Sequence, residues 1–148
     1  MIIGYDPGFG NSKASYLNGQ LNTAVLPSVV GVGNTELGLL DTTLGNRRRR
    51  DDMPNETTFD GVSYLVGQNV ANYATPVERM DFQRLSDGPE LKALFFTTLH
   101  KLLGSGEYRD IQVMVGLPVE VMQERKLPLG TRRELRKWMV GEHLSLVN

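Results

Sequence analysis

The chain opens with MIIGYDPGFGNSKASYLNG, where an apolar run breaks at an aspartate, a proline and two glycines, then resumes as an alternating run ending at a second turn. Such a pattern dictates an N-terminal β-hairpin. Residues 1–5 read as a buried strand that stops at Asp6-Pro7-Gly8. KASYLNG alternates as a strand should and turns at Asn18-Gly19, a strong hairpin dipeptide. The segment between them is therefore the tip of two paired strands, with Asp6 delivered to the end of the first.

That tip suits a metal-bound phosphate. Gly8 and Gly10 permit positive φ and carry no Cβ, so successive N–H groups, Phe9 between them, can face one concavity as an anion-binding nest. Asn11 and Ser12 can add side-chain donors, and Lys13 a compact cation on a flexible stem. Asp6 offers a hard carboxylate oxygen to Mg²⁺, through a water because Mg²⁺ dehydrates reluctantly. Against this, Asp-Pro-Gly and Gly-Asn are ordinary turn dipeptides that need no ligand. Two other phosphate motifs are excluded: no GxxxxGK[ST] occurs, and GFGNSK lacks the third glycine and following helix of a dinucleotide fingerprint.

The D-x-G-x-G-x-x-K spacing after a first strand instead resembles the first phosphate loop of the actin, Hsp70 and sugar-kinase superfamily, where a β-hairpin cradles the phosphates. Three later stretches are LNTAVLPSVVG (21–31), the pair TTFDG and VSYLVGQNVAN (57–72), and IQVMVGLPVEVMQERK (111–126). Their order resembles that of the landmarks of the ParM/StbA-type actin-like proteins, in which PS follows the third strand, YLVG leads into a short helix and GLP closes a buried strand.

The resemblance implies an α/β fold: a ribonuclease-H-like, actin-type lobe whose mixed sheet opens with an antiparallel meander and carries crossover helices, plus a small inserted subdomain. Residues 1–32 and 86–148 would form the lobe and 33–85 the insertion. It further implies an ATPase binding ATP or GTP with Mg²⁺, Asp6 holding the metal through water and Gly8, Phe9, Gly10, Asn11, Ser12 and Lys13 clasping the phosphates. Nucleotide would drive self-association into filaments that move plasmid DNA through a DNA-binding adaptor protein, without direct nucleic-acid contact. The family has two lobes. The water-positioning residue, the second phosphate loop and the adenine pocket would lie beyond residue 148, so no catalytic residue is expected here and the chain alone should hydrolyse essentially nothing. Two alternatives stand beside this reading: a small-molecule kinase of the same superfamily, for a sugar or acid, and a stand-alone, non-catalytic lobe that caps or regulates filaments.

Composition narrows the classes further. With 148 residues and 40% hydrophobic content the chain can bury a real core. Its 16 basic and 17 acidic residues give no global reason to expect nucleic acid or a membrane surface. The absence of cysteine excludes thiolate chemistry, and His100 and His143 are too few for a His-rich metal site. No apolar run approaches the roughly 20 residues of a membrane span, and no signal-peptide pattern opens the chain, so a cytoplasmic location is the expectation.

The remaining elements follow from periodicity. Residues 21–32 complete a three-stranded meander whose end Pro27 turns into an edge or exit. Residues 33–56 read as a mobile surface loop. Within it, Arg47 to Arg50 precede Asp51 and Asp52 and lack interleaved aromatics, which favours a solvated loop over DNA contact. Residues 57–66 form a hairpin turning at Asp60-Gly61, followed by a short helix at 68–73. A helix beginning at residues 87–89 and ending at Leu103 buries Leu91, Leu94, Phe95, Leu99, Leu102 and Leu103, with Glu90 in its first turn and Gly104 as its stop. His100 beside that stripe reads as a surface or packing residue. Residues 111–116 resemble a strand buried on both faces, parallel to the first strand, bringing Gly116-Leu117-Pro118 to the edge that holds Asp6. Helices follow at 119–126, where Glu120 and Glu124 face solvent, and at 131–140, started by a Thr131–Glu134 capping box with Trp138 in the core. Residues 142–148 begin another strand.

Overall fold

The computed structural model describes residues 1–33, 53–77, 88–117 and 127–147. The expected Arg47–Arg50 loop, Pro118, and the 119–126 helix with Glu120 and Glu124 lie outside these residues.

Two four-stranded sheets sandwich one helix. The first sheet is built from β1 (Ile2–Pro7), β2 (Asn11–Asn18), β3 (Gln20–Pro27) and β7 (Gln112–Val115), in the order β3-β2-β1-β7. β1, β2 and β3 form the antiparallel meander, and β7 joins β1 in parallel with Ile2 opposite Gln112 and Tyr5 opposite Val115. After Pro27 the chain leaves this sheet for β4 (Val30–Val32), which pairs with β6 (Val62–Val66) in the second sheet. β5 (Asn55–Phe59) turns into β6 through Asp60 (φ 51°) and Gly61 (φ 76°), the paired left-handed conformations of a tight hairpin turn. β8 (Leu146–Val147) closes that sheet against β5.

Helix α1 (Pro89–Leu103) lies between the sheets. Pro89 occupies its first turn, where no N–H is required, and Gly104 ends it at φ 80°. Leu91 and Phe95 pack with Ile3, Tyr5 and Ala14 of the first sheet, while Ala93 and Leu94 pack with Val30, Tyr64 and Val66 of the second. The Tyr5 and Phe95 rings meet edge to face at 5.1 Å. Helix α2 (Leu127–Met139) adds buried Leu135 to the first cluster, and Trp138 meets Phe95 edge to face, a core position as expected.

Three expectations are corrected. β7 is covered on one face only: Val113 and Val115 are half-buried against the core, whereas Gln112 is exposed and Met114 is 68% exposed. α2 begins at Leu127, a full turn before Thr131, so Thr131 is inside the helix and not its cap; Pro128 is accommodated because first-turn N–H groups have no intrahelical partner. The helix expected at 68–73 is a single 3₁₀ turn, Val70–Asn72.

Candidate functional site

Strand alternation sorts the hairpin tip into two faces. Ile3, Tyr5 and Pro7 point into the core from β1, as do Ser12 and Ala14 from β2, whereas Asp6, Asn11 and Lys13 are exposed. Asp6 and Lys13 are cross-strand partners, so a carboxylate and an ammonium stand side by side on the open face. Among the described residues neither enters an ion pair.

Gly116 follows β7 and donates its N–H to the Tyr5 carbonyl at 2.8 Å, which brings it to the strand end that bears Asp6. A Cβ at Gly116 would lie 3.9 Å from Asp6 Oδ1, and one at Gly8 equally 3.9 Å. The carboxylate is therefore flanked by two glycines. It is a single hard oxygen donor, and no group of three acidic, histidine or cysteine residues that could hold a metal exists among the described residues. That donor chemistry fits Mg²⁺, which keeps most of its waters and takes one or two protein carboxylates.

The two glycines of the tip act differently from the expectation. Neither Gly8 nor Gly10 has positive φ. At Gly8 a Cβ would sit 2.7 Å from the Asn11 carbonyl oxygen, so the close approach of the hairpin arms requires glycine there. At Gly10 a Cβ would meet no atom within 4 Å. Nothing in the chain itself demands a glycine at position 10, which is what an approaching ligand would require.

Ser12 is also corrected. Its hydroxyl is not offered to a ligand but is fully buried, 3.1 Å from the Tyr5 phenol and 2.9 Å from Thr98 Oγ1. Thr98 in turn donates to the Leu94 carbonyl at 2.6 Å, so the polar atoms of this layer are satisfied inside the core. Desolvation by burial holds the Tyr5 phenol well above the ordinary tyrosine range, the Ser12 hydrogen bond opposing and the Asp6 charge reinforcing the shift.

One residue of the tip's surroundings escaped the sequence reading. Ser28 donates its hydroxyl to the Gly8 carbonyl at 2.6 Å and its backbone N–H to the Gly10 carbonyl at 3.0 Å. The only signal was the Pro27-Ser28 pair after β3, visible as a landmark without a role. His100 and Trp138 take no part in this region.

Residues 4–148 match the family described as actin-like proteins, N-terminal domain. No curated protein sequence matches the chain. Among solved structures, the apo pSK41 ParM protein superposes with a TM-score of 0.67 at 17% identity, over 99% of this chain and 44% of that one. A 15-stranded ParM filament from Clostridium botulinum matches with a TM-score of 0.60 at 20% identity, over 99% and 41%. An AlfA filament bound to AMPPNP matches with a TM-score of 0.59 at 15% identity, over 99% and 48%. The chain thus spans less than half the length of these structures. The chain belongs to the actin-like protein family, as its N-terminal domain, and shares its fold with the ParM and AlfA structures.

Proposed function

We propose that this chain is the nucleotide-binding first lobe of a filament-forming, Mg²⁺-dependent ATPase, with Asp6 as the metal-holding residue and the loop Gly8, Phe9, Gly10, Asn11, Ser12 and Lys13 as the phosphate cradle. The observation that carries the reading is the juxtaposition of Asp6, Lys13 and Gly116 at one end of the first sheet, beside a Gly10 whose lack of a side chain the fold does not need. The AlfA filament bound to AMPPNP supports ATP over GTP as the first nucleotide to test. Asp6 would hold Mg²⁺ through water, and the metal would supply neutralisation of phosphate charge. Lys13 supplies a point charge to the outer phosphate oxygens, and Asn11 an exposed amide donor. Ser12 contributes its place in the strand, its hydroxyl being committed to the core.

On this reading residues 1–32 and 86–148 form the lobe proper and 33–85 the insertion, whose β5 and β6 share a sheet with β4 and β8 of the lobe. A second lobe outside the chain completes the cleft and supplies the water-positioning group, so these residues alone bind nucleotide weakly. The full protein assembles head to tail, a heterologous contact that leaves growing ends. Plasmid segregation in the cytoplasm through a DNA-binding adaptor is the biological role proposed with it, and the ParM and AlfA filaments among the structural neighbours support its assembly step.

The test follows Mg²⁺-dependent nucleotide binding, phosphate release and light scattering for the full-length protein beside Asp6→Ala. Turnover coupled to reversible assembly, both lost in the variant, is expected. Turnover without assembly, with a phosphorylated sugar or acid as product, would replace this reading with the small-molecule kinase.

A further inference from the structure

We propose that Ser28 is the positioning residue of the phosphate loop: it holds the Gly8 and Gly10 carbonyls back so that the intervening amides face the ligand. The proposal rests on the nucleotide-binding reading above. Ser28 is buried, with 6% of its surface exposed, and grips the tip at two points, hydroxyl to the Gly8 carbonyl and N–H to the Gly10 carbonyl. No described peptide bond is cis, and in a planar trans peptide the N–H points opposite to the carbonyl. The Gly8 carbonyl shares a peptide with the Phe9 N–H, and the Gly10 carbonyl shares one with the Asn11 N–H. Drawing both carbonyls towards Ser28 therefore aims the Phe9 and Asn11 amides the other way, away from β3. Neither glycine is in the left-handed region, so this orientation is imposed from outside the loop and not by an alternation of backbone hands.

The anchor is itself held. Gly67 donates to the Val29 carbonyl at 2.9 Å and Val77 to the Val30 carbonyl at 2.8 Å, while Val30 pairs with Val66. Ser28 thus stands where the chain passes from the first sheet to the second, fixed by β3 on one side and by the second sheet on the other. Such support is what preorganised donors need, because amides already aimed at an anion require no reordering when it arrives.

The experiment compares MgATP and adenosine binding by calorimetry in the full-length protein, its Ser28→Ala and its Ser28→Thr, with hydrogen exchange at the Phe9 and Asn11 amides of the nucleotide-free proteins. Ser28→Ala is expected to weaken MgATP about tenfold, the worth of roughly one hydrogen bond, to leave adenosine affinity unchanged and to change exchange at the Phe9 amide, whose peptide loses its anchor, while the Asn11 amide stays held through the Ser28 N–H. Ser28→Thr, which keeps the hydroxyl, recovers most of the MgATP affinity. Equal MgATP affinity in wild type and Ser28→Ala, or an equal loss for MgATP and adenosine, overturns the proposal. A wild-type protein that binds no MgATP sinks the nucleotide reading instead, and the Phe9 amide then decides the clamp alone: unchanged exchange there in Ser28→Ala overturns it.

Discussion

Ser12 and Thr98, 86 residues apart in sequence, share a hydrogen bond 2.9 Å long in the buried layer between the opening hairpin and α1. The neighbouring Thr97 hydroxyl pairs instead with Thr57 of β5. Two consecutive residues of one helix thus tie it to two different sheets, and each tie is a buried hydroxyl pair with a backbone carbonyl behind it, Ala93 for Thr97 and Leu94 for Thr98.

Ser12 and Lys13 are adjacent in the loop but should separate in their effects. Ser12→Ala leaves the Tyr5 hydroxyl in the core without this partner, while Thr98 keeps its bond to the Leu94 carbonyl, and is expected to cost about 1–3 kcal/mol in urea unfolding. Lys13→Ala, on the exposed face, should stay within about 0.5 kcal/mol of wild type while losing nucleotide affinity. A Ser12→Ala protein as stable as wild type would contradict the assigned burial.

The Thr57–Thr97 pair can be tested by a double-mutant cycle. Thr97→Val alone leaves the Thr57 hydroxyl buried without this partner and should destabilise by about 1–3 kcal/mol, whereas Thr57→Val with Thr97→Val together should cost less than the sum of the singles. Additive losses in thermal or urea unfolding would mean that the two hydroxyls do not interact.

Gly8 and Gly10 should respond oppositely to alanine. Gly8→Ala forces a Cβ to within 2.7 Å of the Asn11 carbonyl and is expected to destabilise the nucleotide-free protein by about 1–3 kcal/mol. Gly10→Ala meets no protein atom and should leave that stability within about 0.5 kcal/mol, yet weaken MgATP binding at least about tenfold. Melting curves with and without MgATP distinguish the two.

Tyr5 sets a limit at high pH. Its folded-state pKa is raised by burial above the ordinary value of about 10, so the unfolded chain releases this proton first. The stability it contributes is complete below pH 10 and is lost as pH rises above it. Denaturant midpoints measured upward from pH 8 should fall beyond pH 10. Tyr5→Phe should flatten that fall, and an unchanged slope would count against the buried phenol.

Much of this architecture was legible because it is written in short-range preferences. Asn18-Gly19 and Asp60-Gly61 turn where their backbone tolerance demands, and the apolar stripe from Leu91 to Leu103 leaves α1 no other conformation. The parallel alignment of β7 with β1 was also foreseeable, since a long helix preceding an apolar run implies a crossover. What the sequence by itself determined, then, was the set of elements, their order and the strand end at which Asp6 emerges.

Tertiary structure decided which face each residue of the loop serves. Period-two alternation says that Ser12 and Lys13 oppose one another, but only the packing of α1 makes the Ser12 side the core and the Lys13 side the open face. The same holds for Ser28, whose two acceptors lie 20 and 18 residues earlier in the chain and come within reach only once β2 and β3 have paired. It holds for β8, which joins β5 with Val147 opposite Thr57, far apart in the chain. Local propensity carries no information about contacts closed over such distances, because they exist only after the sheets and α1 have packed together.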